Sequence, residues 1–216
     1  MEAATIHREG SAGQREEPAR GARETTGWKP ADPGPLGLGA FAMTTFVLSM
    51  FNSNLVSEKG TPVVLGLALA YGGIVQLLAG MWEFRTGNTF GAVAFCSFGG
   101  FWISFWALNV FYAKQIGGNA GHAVGVYLWA WAIFTAYMTI AAMRTSGAVL
   151  LVFVLLTATF VLLAIGQSGA HVSATHWGGY VGIATAVAAW YASFAAVTNS
   201  TFGRTVLPVV PLARQP

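Results

Sequence analysis

Six long apolar stretches, each about the length one helix needs to cross a hydrocarbon layer of roughly 30 Å, divide the chain from Leu36 onward. They run from Leu36 to Val56, Pro62 to Trp82, Asn88 to Tyr112, His122 to Met143, Gly147 to Ile165 and His176 to Val197. Breakers or charges stand between them: Ser57-Glu58-Lys59-Gly60, Glu83-Phe84-Arg85, Lys114 with Gly117-Gly118-Asn119, Arg144, and Gly166-Gln167-Ser168-Gly169. After the last stretch, Asn199 makes a polar stop, followed by a tail with Arg204, Pro208 and Pro211. Within the first stretch Phe41, Thr45, Leu48 and Asn52 recur at helical spacing on one face, with Thr44 beside them, and this stripe is able to line a path. Phe98, Phe101, Trp102 and Phe105 recur similarly in the third, a pattern that more often packs a core than lines a pore.

Composition turns this pattern into a class. The 216 residues are 55% apolar and 9% charged, with a mean hydropathy of +0.57, whereas soluble domains are about one quarter charged. Five of the eight acidic and five of the eleven basic residues fall in the first 29 positions, leaving nine charges for the remaining 187. A soluble surface cannot be built from so few, so the expected fold is an all-α integral membrane protein with six transmembrane helices. Residues 1–30 hold almost nothing apolar and are expected to form a short disordered tail without the apolar core of a signal peptide. The membrane domain is expected over 31–208 and a C-terminal tail over 209–216. The basic residues form no cluster or stripe, which excludes a nucleic-acid partner.

Orientation follows from lysine and arginine. With the N-terminus in the cytoplasm, the inner side collects the five basic residues of the tail together with Arg85, Arg144, Arg204 and Arg214, against Lys59 and Lys114 outside. Both termini are therefore expected inside. Trp82, Trp129, Trp177 and Tyr180 then lie near helix ends or one turn in, where amphipathic rings settle. Glycines at four-residue spacing, Gly121/Gly125 and Gly178/Gly182, read as close-packing devices, with a pore lined by glycine backbone as the alternative.

Candidate chemistry is sparse. His171 and His176 are five residues apart, too far to share a helical face, and two ligands do not make a zinc site. No G-x-S-x-G motif occurs, the single Cys96 rules out an internal disulfide, and the last stretch has no lysine for a Schiff base. A membrane enzyme or a structural or signalling scaffold stays as the alternative, and no cofactor or metal is called for. Glu83 lies deepest of the ionisable residues and reads as a solvated or paired charge at a helix end, with a role at a pore mouth as the second reading. The other polar residues within the spans are neutral: Thr44, Thr45, Ser49, Asn52, Gln76, Ser97, Ser104 and Asn109.

Ahead of the first stretch stands Asp32-Pro33-Gly34-Pro35-Leu36-Gly37-Leu38, a helix start with prolines where N–H groups go unused and Asp32 as a cap. This segment, with Phe41, resembles the N-P-A-P-L-G-L signature of the acetate uptake transporter family, which contains the bacterial succinate-acetate permeases. The resemblance continues through Tyr71-Gly72-Gly73-Ile74, Gln76, Ala79-Gly80, Glu83, Gly87-Asn88-Thr89-Phe90-Gly91 and Phe101-Trp102. It resumes in Gly125-Val126-Tyr127-Leu128, Leu163-Ala164-Ile165-Gly166, His176 and Phe202-Gly203-Arg204-Thr205-Val206-Leu207-Pro208, and covers about residues 32 to 208.

The resemblance implies a homohexamer with a separate anion path through each protomer, narrowed by Phe41, Phe98 and Leu156. Phe98 stands where bacterial members have tyrosine, which removes a hydroxyl from the narrowest point. Asp32 replaces the signature's Asn, and Gly34 its Ala. The expected function is a plasma-membrane permease or channel passing acetate and succinate, with Thr44, Thr45 and Asn52 as side-chain donors along the path.

Two outcomes follow from the sequence. A cysteine introduced at Lys59 should react with an impermeant maleimide from outside intact cells, and one at Arg85 only after permeabilisation; the reverse labelling would invert the orientation. Removing residues 1–30 should leave oligomer size and acetate flux near those of the intact chain, measured by gel filtration and liposome uptake.

Overall fold

The computed structural model describes Trp28, residues 30–117 and residues 120–212. Six helices long and apolar enough to cross a membrane account for almost all of it: α1 (Gly34–Asn52), α2 (Glu58–Thr86), α3 (Thr89–Ile116), α4 (Ala120–Ala142), α5 (Gly147–Ser168) and α6 (Val172–Phe202). In hydrocarbon each backbone N–H and C=O must be paired within its own segment, and a helix does this without partners. The expected 1–30 tail lies outside the described residues apart from Trp28 and Pro30, and Trp28 meets Trp82 edge to face at 5.7 Å.

Local chemistry sets the helix ends. Pro35 stands in the first turn of α1, and Pro62 begins the α-helical part of α2 after the 3-10 turn Glu58–Gly60, places where a missing N–H costs nothing. Gly87 ends α2 at φ +80° and Asn88 immediately caps α3, its side chain accepting from the Gly91 N–H at 3.1 Å. Ser146 caps α5 in the same way through the Val149 N–H. The first helix stops at Asn52, four residues short of the expected Val56, because Asn54 adopts φ +60° and turns the chain. The last runs to Phe202, past the expected end at Val197, so Asn199 is helical rather than a stop. It is tolerated there because its side chain accepts from the N–H groups of Val206 and Leu207 and donates to the Leu207 carbonyl.

Consecutive helices pack side by side, and α1 also packs on α6, so the six form a ring in chain order. The seam between α3 and α4 is made largely by rings: Phe98 and Phe101 reach Trp131, and Phe101 stacks on Tyr127 at 5.8 Å. The other seams are tighter. A Cβ on Gly182 would meet Ser49 of α1, one on Gly178 would lie 2.8 Å from Leu163 of α5, and one on Gly125 would meet Ser168. Both glycine pairs thus serve close approach of helices. Trp82, Trp129, Trp177 and Tyr180 are exposed on the outer surface.

Within α2, residues Ala70–Val75 form a π-helical turn. Such a wide turn carries an extra residue and re-phases the helix that follows. Tyr71-Gly72-Gly73 lies inside it, with Gly72 against Thr44 of α1 and Gly73 2.8 Å, by its missing Cβ, from Ile103 of α3.

The packing predicts a contrast. Gly179→Ala drives a methyl into the Asn52–Ser53 backbone and should cost about 1–3 kcal/mol. Gly66→Ala, with nothing within 4 Å, should be neutral or stabilising by up to about 1 kcal/mol. Thermal unfolding of the two variants in detergent checks this.

Candidate functional site: a cavity with an apolar floor

Because α1 to α6 close into a ring, the space along its axis is not filled at one end. A cavity of about 370 Å³ opens at the side where α1, α3 and α5 begin and α2, α4 and α6 end. Asp32, Gly34, Glu83, Asn88, Thr145, Ser146 and Val209 line its outer part. Leu38, Phe90, Ala94, Phe95, Val149, Val152 and Phe153 line its walls.

The innermost residues that α1, α3 and α5 contribute are Phe41, Phe98 and Leu156. Counting inward from Gly34, Asn88 and Ser146 at 1.5 Å per residue, they lie about 10–15 Å from the helix starts. All three are buried, at 5, 3 and 3% exposure, and the Phe41 and Phe98 rings stand 5.8 Å apart. The floor is therefore dry and apolar. Phe98 has no hydroxyl to offer there, and its neighbours are rings: Phe134, Phe153 and Phe160 as well as Phe41 and Trp131.

One polar group reaches this depth. Gln76, on the first turn after the π-helical segment, lines the cavity, is 1% exposed, and has neither its Nε2 nor its Oε1 atom hydrogen-bonded within the protein. An orphaned buried amide is costly, and the cost is recovered when a ligand or water supplies the partners. The sequence marks Gln76 only as a polar residue of the second stretch. A usable signal is its spacing from Gly80 and Glu83, which puts all three on one helical face.

Three expected path residues lie elsewhere. Thr44 is fully buried but off the cavity: its hydroxyl donates to the Ala40 carbonyl at 3.0 Å and packs against Gly72, so its donor is already used. Thr45 is one turn beyond Phe41, under the floor, buried and with its Oγ1 unpartnered. Asn52 is half-buried at the opposite end of α1.

The signature segment frames the mouth. Asp32 is exposed and accepts from the Gly34 N–H at 2.9 Å, one residue ahead of the Pro33 N-cap position. The Pro33 carbonyl accepts from Gly37, and Ser193 of α6 donates to the Pro35 carbonyl at 2.6 Å, tying the start of α1 to α6. A Cβ on Gly37 would lie 2.7 Å from the Phe95 ring, so this glycine lets α3 approach. Leu36 faces outward.

Glu83 departs from its expected solvated position. It is 2% exposed and lines the cavity, because the helix end at Gly87–Asn88 folds α3 back over it. The chain after α6 departs too. Instead of leaving as a tail, it turns at Gly203, φ +63°, and runs back across the mouth. Val210 and Val209 accept from the N–H groups of Gly147 and Ala148, Leu212 donates to the Thr145 carbonyl, and Tyr191 donates to the Pro208 carbonyl at 2.6 Å. Val209 thereby becomes part of the cavity wall.

Fold and site together define a multi-pass membrane protein with an internal, blind-ended cavity. The chain belongs to the GPR1/FUN34/yaaH family, whose model matches residues 15–214. It is 38% identical over 184 residues to the succinate-acetate/proton symporter SatP of Escherichia coli K12, covering 84% of this chain and 96% of that protein. It is 38% identical over 195 residues to acetate permease A of Emericella nidulans, covering 83% of this chain and 65% of the relative. Accumulation of dyads protein 2 of Saccharomyces cerevisiae is 45% identical over 175 residues, which are 78% of this chain and 62% of the yeast protein. The chain thus spans less than two thirds of the length of these two fungal relatives. The solved structure of the bacterial acetate channel SatP matches at a TM-score of 0.77 with 38% identity, covering 84% of this chain and 99% of that one.

The site geometry predicts that Gly37→Leu, which forces a large side chain into the Phe95 ring, should destabilise by a few kcal/mol, whereas Leu36→Ala should change stability by less than about 1 kcal/mol. Denaturation followed by tryptophan fluorescence compares them.

Proposed function

We propose that this protein is a permease or channel of the cell membrane that passes small carboxylates, acetate and succinate, through a separate path in each protomer of a homohexamer. The observation that carries the reading is the cavity that ends on Phe41, Phe98 and Leu156 beside the unpartnered Gln76 amide. The names of the relatives, a succinate-acetate/proton symporter, an acetate permease and an acetate channel, support the substrate class. In this reading the chain is a conduit and changes no bond of its substrate. Both termini face the cytoplasm, so the cavity opens inward, and the tail at 1–30 precedes a membrane domain that begins at 31 and includes the strap over the mouth.

The chemistry follows from the lining. A carboxylate carries its water into the outer cavity, where Asn88, Thr145 and Ser146 are polar. At the floor it must shed that water, and desolvating an unpaired anion is expensive. Gln76 Nε2 supplies two donors at that depth, and Thr45 Oγ1 offers a further one beyond the ring. With neutral donors only, binding stays weak enough for release, and the apolar ring gates by dewetting.

Flux of labelled acetate into liposomes holding the purified protein tests the proposal. Phe41→Ala or Leu156→Ala should raise flux severalfold and weaken selection by size, and Phe98→Tyr should alter selectivity more than folding. Gln76→Leu, which removes one hydrogen bond to a charged group worth about 1.5–3 kcal/mol, should lower flux tenfold or more. If the alanine variants stay assembled in detergent and conduct no faster than the parent, the floor only packs helices.

A further inference from the structure

Among the described residues Glu83 is the one charged side chain that is buried, and it stands at the mouth of a cavity proposed to carry anions. Its carboxyl group fills the gap between the start of α1 and the first turn of α3: a Cβ on Gly34 would lie 3.4 Å from Oε1, and one on Gly91 2.7 Å from Cδ. Glycine at position 91 makes the room, and a methyl at position 34 would stand in ordinary contact with the carboxyl group. The Thr86 hydroxyl donates to Oε2 at 3.1 Å, and the Asn88 side chain stands beside the carboxyl group. The segment before α1 brings one ionisable neighbour, Asp32, which is also acidic. The cavity walls contributed by α3, α5 and α6 bring none among the described residues, and Arg85 on α2 itself is exposed.

An ionised carboxylate accepts hydrogen bonds and donates none. Two of them in one narrow, poorly solvated space repel each other and have no proton to share. A protonated Glu83 removes the repulsion and turns one of its oxygens into a donor. We infer that Glu83 is the seat of a proton that accompanies the substrate: a carboxylate enters when Glu83 is in its acid form, the O–H donates to it, and the proton passes to the substrate oxygen, so that the neutral acid leaves the cavity and Glu83 is left ionised. The proton that restores the acid form comes from the solution at the mouth, and besides the Glu83 O–H broken and the substrate O–H formed no bond changes. This rests on the transport reading above and adds the residue that couples it to protons.

The test is exchange of labelled acetate in proteoliposomes at fixed acetate-anion concentration, from mildly acidic to mildly alkaline pH, with the flux through protein-free vesicles subtracted. A pH-sensitive dye inside the vesicles follows proton uptake. Exchange through the natural sequence should fall with rising pH, by up to about tenfold per pH unit beyond its midpoint, one proton being lost per site. Glu83→Gln, which keeps the shape and the donor of the acid form, should exchange acetate at every pH and carry no proton with it. A folded Glu83→Gln protein with the unchanged pH profile, or with no exchange at any pH, overturns the inference while leaving the transport reading in place. Should that variant fail to assemble, Asp32→Asn decides: losing the neighbouring negative charge should move the midpoint to lower pH, and an unmoved midpoint overturns the inference. If the natural sequence exchanges no acetate at any pH, both readings fall together.

Discussion

The ring of Phe98 lies within 6.4 Å, centroid to centroid, of Phe41 on α1, Trp131 and Phe134 on α4, and Phe153 and Phe160 on α5. One side chain of α3 thereby binds three other helices at mid-height. It matters most at the seam between α3 and α4, where backbone contact is slight and aromatic faces and edges do the joining. Each such pair contributes about 0.5–1.5 kcal/mol beyond the area it buries, and between lipid-solvated helices that packing is the main source of association. The same cluster closes the axial space. Fold and floor are thus two aspects of one packing arrangement, and the cavity lies on the side of Phe98 where small residues such as Ala94 and Gly91 stand among the rings.

Lipid imposes the second constraint. Backbone groups are satisfied within the helices, so the polar side chains of the interior must find partners on their own turn or on a neighbour. Most do. Thr135, Thr159 and Thr185 donate to carbonyls four residues earlier, and Thr159 and Thr185 also meet across α5 and α6 at 3.2 Å. Against that background three side chains stand out with unpartnered polar atoms: Gln76 at the floor, Thr45 beneath it, and Trp102, whose Nε1 is buried without lining the cavity. Where such an atom faces the cavity, as in Gln76, it marks a place for a solute or water to complete the network.

The mouth is built differently from the floor. Short polar side chains, Asp32, Asn88 and Ser146, cap or precede helix starts there, and a C-terminal strap of backbone hydrogen bonds closes one flank. Val210 holds φ +52° in that strap, a costly backbone for a β-branched residue, which the bonds to Gly147 and Leu212's bond to Thr145 impose. The strap rests on hydrogen bonds near the surface rather than on buried apolar area, which places it at the less stable end of the molecule.

The number of helices and their approximate extents are legible in the sequence because a membrane span is a local property: twenty apolar residues without charge state it by themselves. Phe41 and Phe98 are legible as stripe members, and Leu156 through a family resemblance, although neither spacing nor resemblance says that the three end one cavity. That depends on the ring closing between α1 and α6, a contact between residues more than a hundred positions apart. The same distance hides the failures. Thr44 lies beside the stripe yet turns into Gly72, Glu83 looks solvated until α3 folds over it, and the strap looks like a tail until it meets the start of α5. Periodicity fixes where a side chain lies on its own helix; what stands opposite is decided by packing, and here that decides which polar groups are spent and which are left open to a solute.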